Sequence, residues 1–209
     1  MSDEKLKAFN VGGGFIGIKS RKEIHEKGYW HETFHCWFVE KNTEGGWFIY
    51  FQQRCHEKRD FPDLYDITAA GYIKCDESDR EGIREVREEL GIPIEIDDLI
   101  SLGIVKDEMI TSNFIDREFC HIYIYVNHFQ IKDFKFQEEE VSGLYKISLS
   151  EFKTHLSNHT DFIKASGFDE TRSQKKAVEK LISINEWVPH SQEYVTQIIK
   201  RIEKKLQEL

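Results

Sequence analysis

Glu77, Glu81, Glu85 and Glu89 follow one another at four-residue spacing, with Glu88 beside the last of them and Arg80, Arg84 and Arg87 interleaved. Wound as a helix, Glu81, Glu85, Glu88 and Glu89 share one face, Ile83, Val86 and Leu90 share the opposite one, and the arginines form a separate stripe. Like charges four residues apart destabilise a helix by roughly 0.2 to 0.5 kcal/mol per pair. A bound divalent cation would turn that repulsion into attraction, and carboxylate oxygens are the donors that Mg²⁺ and Mn²⁺ prefer. An acidic, solvent-facing helix satisfies the same spacing. Ser78-x-x-Glu81 is a capping box and Gly91, followed closely by Pro93, is a stop, so the helix is expected over 79–90.

The same segment resembles the Nudix box, G-x5-E-x7-R-E-U-x-E-E-x-G-U, where U is aliphatic. Gly71, Glu77, Arg84, Glu85, Val86, Glu88, Glu89, Gly91 and Ile92 stand at its fixed positions. Six residues rather than seven separate Glu77 from Arg84. That shortening falls at the start of the helix, so the register from Arg84 to Ile92 is intact while the placement of Glu77 is left open. The resemblance implies Glu85, Glu88 and Glu89 as ligands of Mg²⁺ or Mn²⁺ and Arg84 as a residue that orients the glutamates. It also implies an α/β/α sandwich around a mixed sheet. The implied activity is metal-dependent hydrolysis of a nucleoside diphosphate linked to another moiety, or of a related organic diphosphate.

Upstream, His25, His31, Phe34 and Trp37, then Arg54, Lys58, Pro62 and Ala70-Gly71, are similar to the corresponding stretch of the isopentenyl-diphosphate isomerase branch of that superfamily, over about residues 20–150. In the isomerases the residue before the box glycine is a catalytic cysteine and the one after it a metal-binding histidine. Ala70 and Tyr72 stand there in this chain. Isomerisation needs a group that exchanges a proton with carbon, and alanine has none to offer. The resemblance further implies that Arg54 and Lys58 hold the diphosphate, with Gly71 on the same substrate-binding side. Asp116 and Glu118 match an acidic pair near the metal or reacting centre. Glu88 and Glu118 are both candidates for the general base. His25 and His31 are expected to pack or hydrogen-bond rather than bind metal, since their partner histidine is missing. Two alternatives use the same residues: a prenyl-diphosphate isomerase, and a catalytically silent diphosphate-binding module.

The elements that must position these groups follow from hydrophobic patterning. Aromatic and β-branched runs at 32–40 and 46–54, separated by Lys41-Asn42-Thr43-Glu44-Gly45-Gly46, read as a hairpin. Further strands are expected near 66–74, 99–106, 119–128 and 141–147. In 119–128, Cys120, Ile122, Ile124 and Val126 alternate with His121, Tyr123, Tyr125 and Asn127, the period of a sheet. Helical patterns fall at 148–156, 172–184 and 190–207. In the last of these Tyr194, Ile198, Ile202 and Leu206 recur four apart, a stripe expected to dock on the parent domain, with a dimer contact as the alternative. Gly12, Gly14 and Gly17 spell G-x-G-x-x-G, but no buried strand precedes them and no helical period follows, so a glycine-rich turn beside an early strand is expected rather than a dinucleotide loop. The expected organisation is an α+β catalytic domain over 1–165 and a helical extension over 166–209 packed on it.

Composition narrows the partners. The chain has 209 residues, a formal charge of -9 and 39% hydrophobic residues, so it can bury a core and lacks the signature of disorder. Net acidity argues against binding a nucleic-acid polymer, because phosphate neutralisation by Lys and Arg drives that affinity. The start has no apolar signal region and the apolar runs are too short to span a bilayer, so a cytoplasmic chain without membrane contact is expected, monomeric or homodimeric, acting on a small-molecule diphosphate. Cys36, Cys55, Cys75 and Cys120 form no C-x-x-C pair and are expected to be reduced. Glu138, Glu139 and Glu140 are expected to form a solvated loop. The aromatics Trp30, Phe34 and Trp37 are open to two roles, stacking on a substrate ring or filling the core.

Overall fold

The computed structural model describes residues 4–111, 114–158, 160–172 and 174–209. β1 (Lys5–Phe9) and β2 (Phe15–Ser20) form a hairpin that runs into α1 (Arg21–Lys27), followed by β3 (Trp30–Lys41) and β4 (Trp47–Arg54). Two short strands, β5 (Tyr65–Ile67) and β6 (Ala69–Tyr72), lead through a 3₁₀ helix (Asp79–Ile83) into α2 (Arg84–Leu90). The long pair β7 (Ile100–Ile110) and β8 (Ile115–Val126) precedes β9 (Val141–Ser148) and α3 (Leu149–Asn158). A second hairpin, β10 (Phe162–Thr171) and β11 (Gln174–Ser183), precedes α4 (Gln192–Leu206).

These strands form one mixed sheet in the order β11-β10-β9-β4-β3-β1-β2, with β8 parallel to β3 from Trp30↔Arg117 to Val39↔Val126 and β7 antiparallel to β8. β3 is the pivot. It pairs with β4 near its end, with β6 at Thr33–Cys36 and with β8 along most of its length. The expected strand at 66–74 is split at Thr68, where the chain leaves β4 and joins β3. Thr68 holds the crossing by accepting the Phe38 N–H through its hydroxyl at 3.0 Å and donating to the Tyr50 carbonyl.

Helices cover both faces. Ile83, Val86 and Leu90 are buried with Phe34, Phe38 and Tyr123 on one side of the sheet. Phe152 of α3 and Tyr194, Ile198, Ile202 and Leu206 of α4 are buried with Trp37, Phe51, Ile122 and Ile124 on the other. The result is the expected α/β/α sandwich, and the α4 stripe is consumed within the chain. Phe34 and Trp37 are core, while the Trp30 ring packs tilted against Phe119 with centroids 4.9 Å apart. The glycine-rich segment is the β1–β2 turn, with the Asn10 side chain accepting the Gly12 and Gly14 N–H groups at 2.9 Å and Gly13 at φ +83°. It opens no helix of a βαβ unit.

The helix expected over 172–184 is instead strand β11, paired with β10 from Phe162↔Ser183 to Thr171↔Gln174. Ala177, Val178, Leu181 and Ile182 are spaced as a helical stripe would be, but in the sheet Ile182 is fully buried while its neighbour Leu181 is exposed, the alternation of a strand. Pairing with β10 overrides the local period. β10 also runs across the expected boundary at 165/166, so the sheet continues into what the sequence presents as a helical extension, and the helical part of that extension is α4.

Candidate active site

Ser78 begins the turn before α2, its backbone N–H donating to the Glu81 carboxylate at 2.8 Å. The residues that follow wind as a 3₁₀ helix before the α-helical register starts at Arg84. A 3₁₀ helix rises about 2.0 Å per residue against about 1.5 Å in an α-helix, so its five residues gain about 2.5 Å, enough to make up the rise of one α-helical residue. The missing residue of the motif is absorbed there. Glu77 keeps its place, its carboxylate accepting from Arg84 Nε at 2.7 Å, from Arg84 Nη2 at 3.1 Å and from the Lys74 N–H at 2.9 Å. At the other end Gly91 takes φ +68°, and a Cβ there would lie 2.6 Å from the Lys135 carbonyl oxygen.

Arg84 is the hub of the helix. Beyond Glu77 it reaches Glu85 at 2.6 Å, Glu88 at 3.1 Å and the Tyr72 carbonyl at 2.9 Å. Glu85 turns inward across the backbone of Gly71, where a Cβ would overlap its carboxylate, and this is why the position is glycine. Glu89 is buried and, among the described residues, accepts from two neutral donors, the Gln52 amide at 3.3 Å and the Ala70 N–H at 3.2 Å. Burial, and then the charge of Glu85, push the Glu89 carboxyl well above the usual range. Burial likewise raises Glu85 to about 7, against the opposing pull of Arg84. Glu88 is half exposed and faces the opening.

These side chains line a cleft of about 320 Å³ that also takes in Arg54, Lys58, Gly71, Asp116 and Glu118, so every site residue expected from the sequence is brought to one place. Among the described residues its walls carry nine carboxylate side chains against five from Lys or Arg, an excess that disfavours any anion unless a cation joins it. Arg54 donates from Nη1 to Asp66 at 2.8 Å and from Nε and Nη2 to the Asp60 carbonyl at 3.2 and 2.9 Å. Lys58 is paired with Glu140, so one member of the expected solvated loop belongs to the cleft wall. Arg21 lies over the Tyr72 ring at 4.8 Å and also lines the cleft.

A second titratable cluster comes from the parallel β3–β8 ladder. On β8, Asp116, Glu118 and Cys120 share the inward face and meet His31 and His35 of β3. His31 Nε2 lies 3.3 Å from Asp116 Oδ1 and 3.9 Å from Glu118 Oε1, and His25 Nε2 lies 3.4 Å from Asp116 Oδ1. Among the described residues, two sets have ligand atoms within 4.8 Å of one another: His25, His31 and Asp116, and His35, Glu118 and Cys120. Both could hold an ion by geometry. Cys120 thus meets a histidine across strands rather than its sequence neighbour His121, which points to the other face. The Tyr72 hydroxyl is 3.3 Å from His25 Nε2, and its ring fills the space beside His25 and His31. Burial and the charge of Asp116 raise Glu118 to about 8, whereas burial lowers His31 despite both acids.

No protein-family model matches the chain. Over 203 residues it is 41% identical to an uncharacterized Nudix hydrolase of Clostridium acetobutylicum, covering 97% of this chain and 98% of that protein. The chain belongs to the Nudix hydrolase family. Its fold agrees: a MutT/nudix family protein of Enterococcus faecalis superposes with a TM-score of 0.51 at 13% identity, over 84% of this chain and 62% of that one. Similarity to the isopentenyl-diphosphate Delta-isomerase of Serratia proteamaculans is 24% over 123 residues, 58% of this chain and 65% of that protein, which supports the isomerase branch only weakly. In this Nudix hydrolase the cleft residues that sequence reasoning missed are Arg21, His35, Asp60, Asp66, Glu140 and His190. None lies in the motif: His35 and Asp66 come in through the sheet register, and Arg21, Asp60, Glu140 and His190 through α1 and the connecting segments around the cleft.

Proposed function

We propose that this Nudix hydrolase cleaves the diphosphate bond of a small organic diphosphate, with Mg²⁺ or Mn²⁺ held by Glu85, Glu88 and Glu89. The observation that carries the reading is the Glu85–Glu89 pair: two carboxylates turned into the cleft, one of which, among the described residues, accepts from an amide and a backbone N–H and from no Lys or Arg. Such a pair destabilises the fold unless a cation joins it, and an all-oxygen donor set fits a hard divalent ion. When bound, the ion supplies charge neutralisation at the phosphate oxygens and a more acidic water.

The chain's own groups do the rest. Arg54 and Lys58 orient the diphosphate at the cleft wall. Arg84 restrains Glu85 and Glu88 so that both carboxylates face the same opening. Glu88, the acid that reaches solvent, takes the proton of the attacking water as its oxygen bonds to phosphorus and the bridging oxygen departs. Burial and the charge of Asp116 raise the Glu118 carboxyl to about 8, which favours its neutral form and leaves Glu88 as the base. Ala70 and Tyr72 put no thiol and no imidazole at the two positions where the isomerases carry them. Among the described residues no helix is long and apolar enough to cross a membrane.

Glu88→Gln tests the assignment. It should abolish most metal-dependent turnover while the unfolding temperature stays within a degree or two, since the side chain is half exposed. Near-normal turnover in that variant removes Glu88 from the mechanism.

A further inference from the structure

The segment between β11 and α4 enters the cleft at Val188 and His190. His190 is nearly enclosed, its side chain 11% exposed. Its Nδ1 donates to Asp107 Oδ2 of β7 at 2.6 Å and its Nε2 donates to Asp66 Oδ1 of β5 at 3.0 Å. A carboxylate only accepts, so an imidazole with a carboxylate on each nitrogen carries both protons. Burial opposes that charge, but the hydrogen bonds to Asp107 and Asp66 raise the imidazolium to about 10. The other oxygen of Asp66 accepts Arg54 Nη1 at 2.8 Å. Two buried acids and two cations therefore form a charge-balanced quartet joining β4, β5, β7 and the C-terminal segment.

The quartet determines what Arg54 can offer. A guanidinium has five N–H donors. The bonds to Asp66 and to the Asp60 carbonyl use one each on Nε, Nη1 and Nη2, which leaves one on Nη1 and one on Nη2 for an anion in the cleft. Without His190, Asp107 would be left, among the described residues, with Ser191 and the Glu108 N–H, and Asp66 with Arg54 and the Ile67 N–H. Asp66 would then lean on Arg54 in place of the imidazolium, and Arg54 would be drawn inward, away from the opening.

We infer that His190 is a positioning residue for Arg54: by fixing Asp66 it fixes the guanidinium that faces the diphosphate, so the C-terminal segment is a working part of the active site. The inference rests on the reading of Arg54 as a diphosphate-holding group. His190 also packs on Tyr194 at 5.0 Å, whose hydroxyl is 2.7 Å from His35 Nδ1, so the same helix start braces the wall beside Glu118.

The test is binding of methylenediphosphonate, a non-hydrolysable diphosphate, by calorimetry with Mg²⁺ present, to the full chain and to His190→Gln, Arg54→Gln and the double variant. His190→Gln should weaken binding about tenfold, the scale of a lost charge-assisted hydrogen bond. The double variant should bind no more weakly than Arg54→Gln alone. A loss from His190→Gln that persists in full on the Arg54→Gln background, or binding that His190→Gln leaves intact, overturns the inference while leaving the diphosphate reading in place. No binding by the unaltered chain overturns both. If His190→Gln does not fold at the assay temperature, Asp66→Asn reads the same link and should show the same loss and the same non-additivity.

Discussion

Glu85→Gln should make the metal-free protein more stable and inactive at once. The ordinary glutamate value is near 4.5, and burial raises Glu85 to about 7 in the folded chain. The folded state therefore holds this proton more tightly than the unfolded state. No destabilisation arises below the unfolded value; it grows as pH rises from about 4.5 to about 7 and is complete above that. At about 1.36 kcal/mol per pH unit, the carboxylate destabilises the metal-free fold by about 3 kcal/mol at pH 7. Glutamine keeps the shape that fits over Gly71 and cannot ionise. For a chain of this length about 3 kcal/mol corresponds to roughly 6 to 12 °C in unfolding temperature. Differential scanning calorimetry in chelator at pH 7 to 8 should show that gain, while Mn²⁺ raises the unfolding temperature of the unaltered chain and has much less effect on the variant. A lower unfolding temperature in chelator, or an undiminished response to Mn²⁺, refutes the claim that Glu85 is a buried carboxylate kept for a cation.

Gly71→Ala should displace the Glu85 carboxylate that its new methyl overlaps. We expect a stability loss of about 1 to 3 kcal/mol by urea unfolding and at least a tenfold loss in Mn²⁺ affinity by calorimetry. The His190 quartet makes a separate pH prediction. The His190 value is raised to about 10, so its contribution is fully present below about 6.5 and is lost as pH rises through 10, at up to about 1.4 kcal/mol per pH unit. Asp66, Asp107 and His35 face that ring, with Arg54 behind Asp66. Urea midpoints measured from pH 6.5 to 9.5 should fall in the unaltered chain and flatten in His190→Gln.

What was legible in the sequence was local. Glu85, Glu88 and Glu89 lie within one short helix, so their spacing alone puts the three carboxylates on one face with Arg84 on the stripe beside it, and the capping box and Gly91 mark its ends. Gly71 belongs with them because a backbone lies under Glu85. Asp66, Asp107 and His190 are lone residues in unrelated segments, and no spacing links them. They meet because β5 pairs with β4, β7 pairs with β8, and α4 docks over β7. The pattern at 172–184 misled for the converse reason: a local helical period lost to a long antiparallel partner. The shortened motif left Glu77 open until the 3₁₀ turn showed how six residues bring it to Arg84.

The most direct test of the account is phosphate release from a panel of nucleoside, sugar and alkyl diphosphates, measured with Mg²⁺, with Mn²⁺ and with excess chelator, for the unaltered chain and for Glu88→Gln. The account predicts turnover of at least one diphosphate that needs the divalent ion and is largely lost in the variant. Turnover unaffected by chelator, or tight metal and diphosphonate binding without phosphate release from any member of the panel, contradicts it.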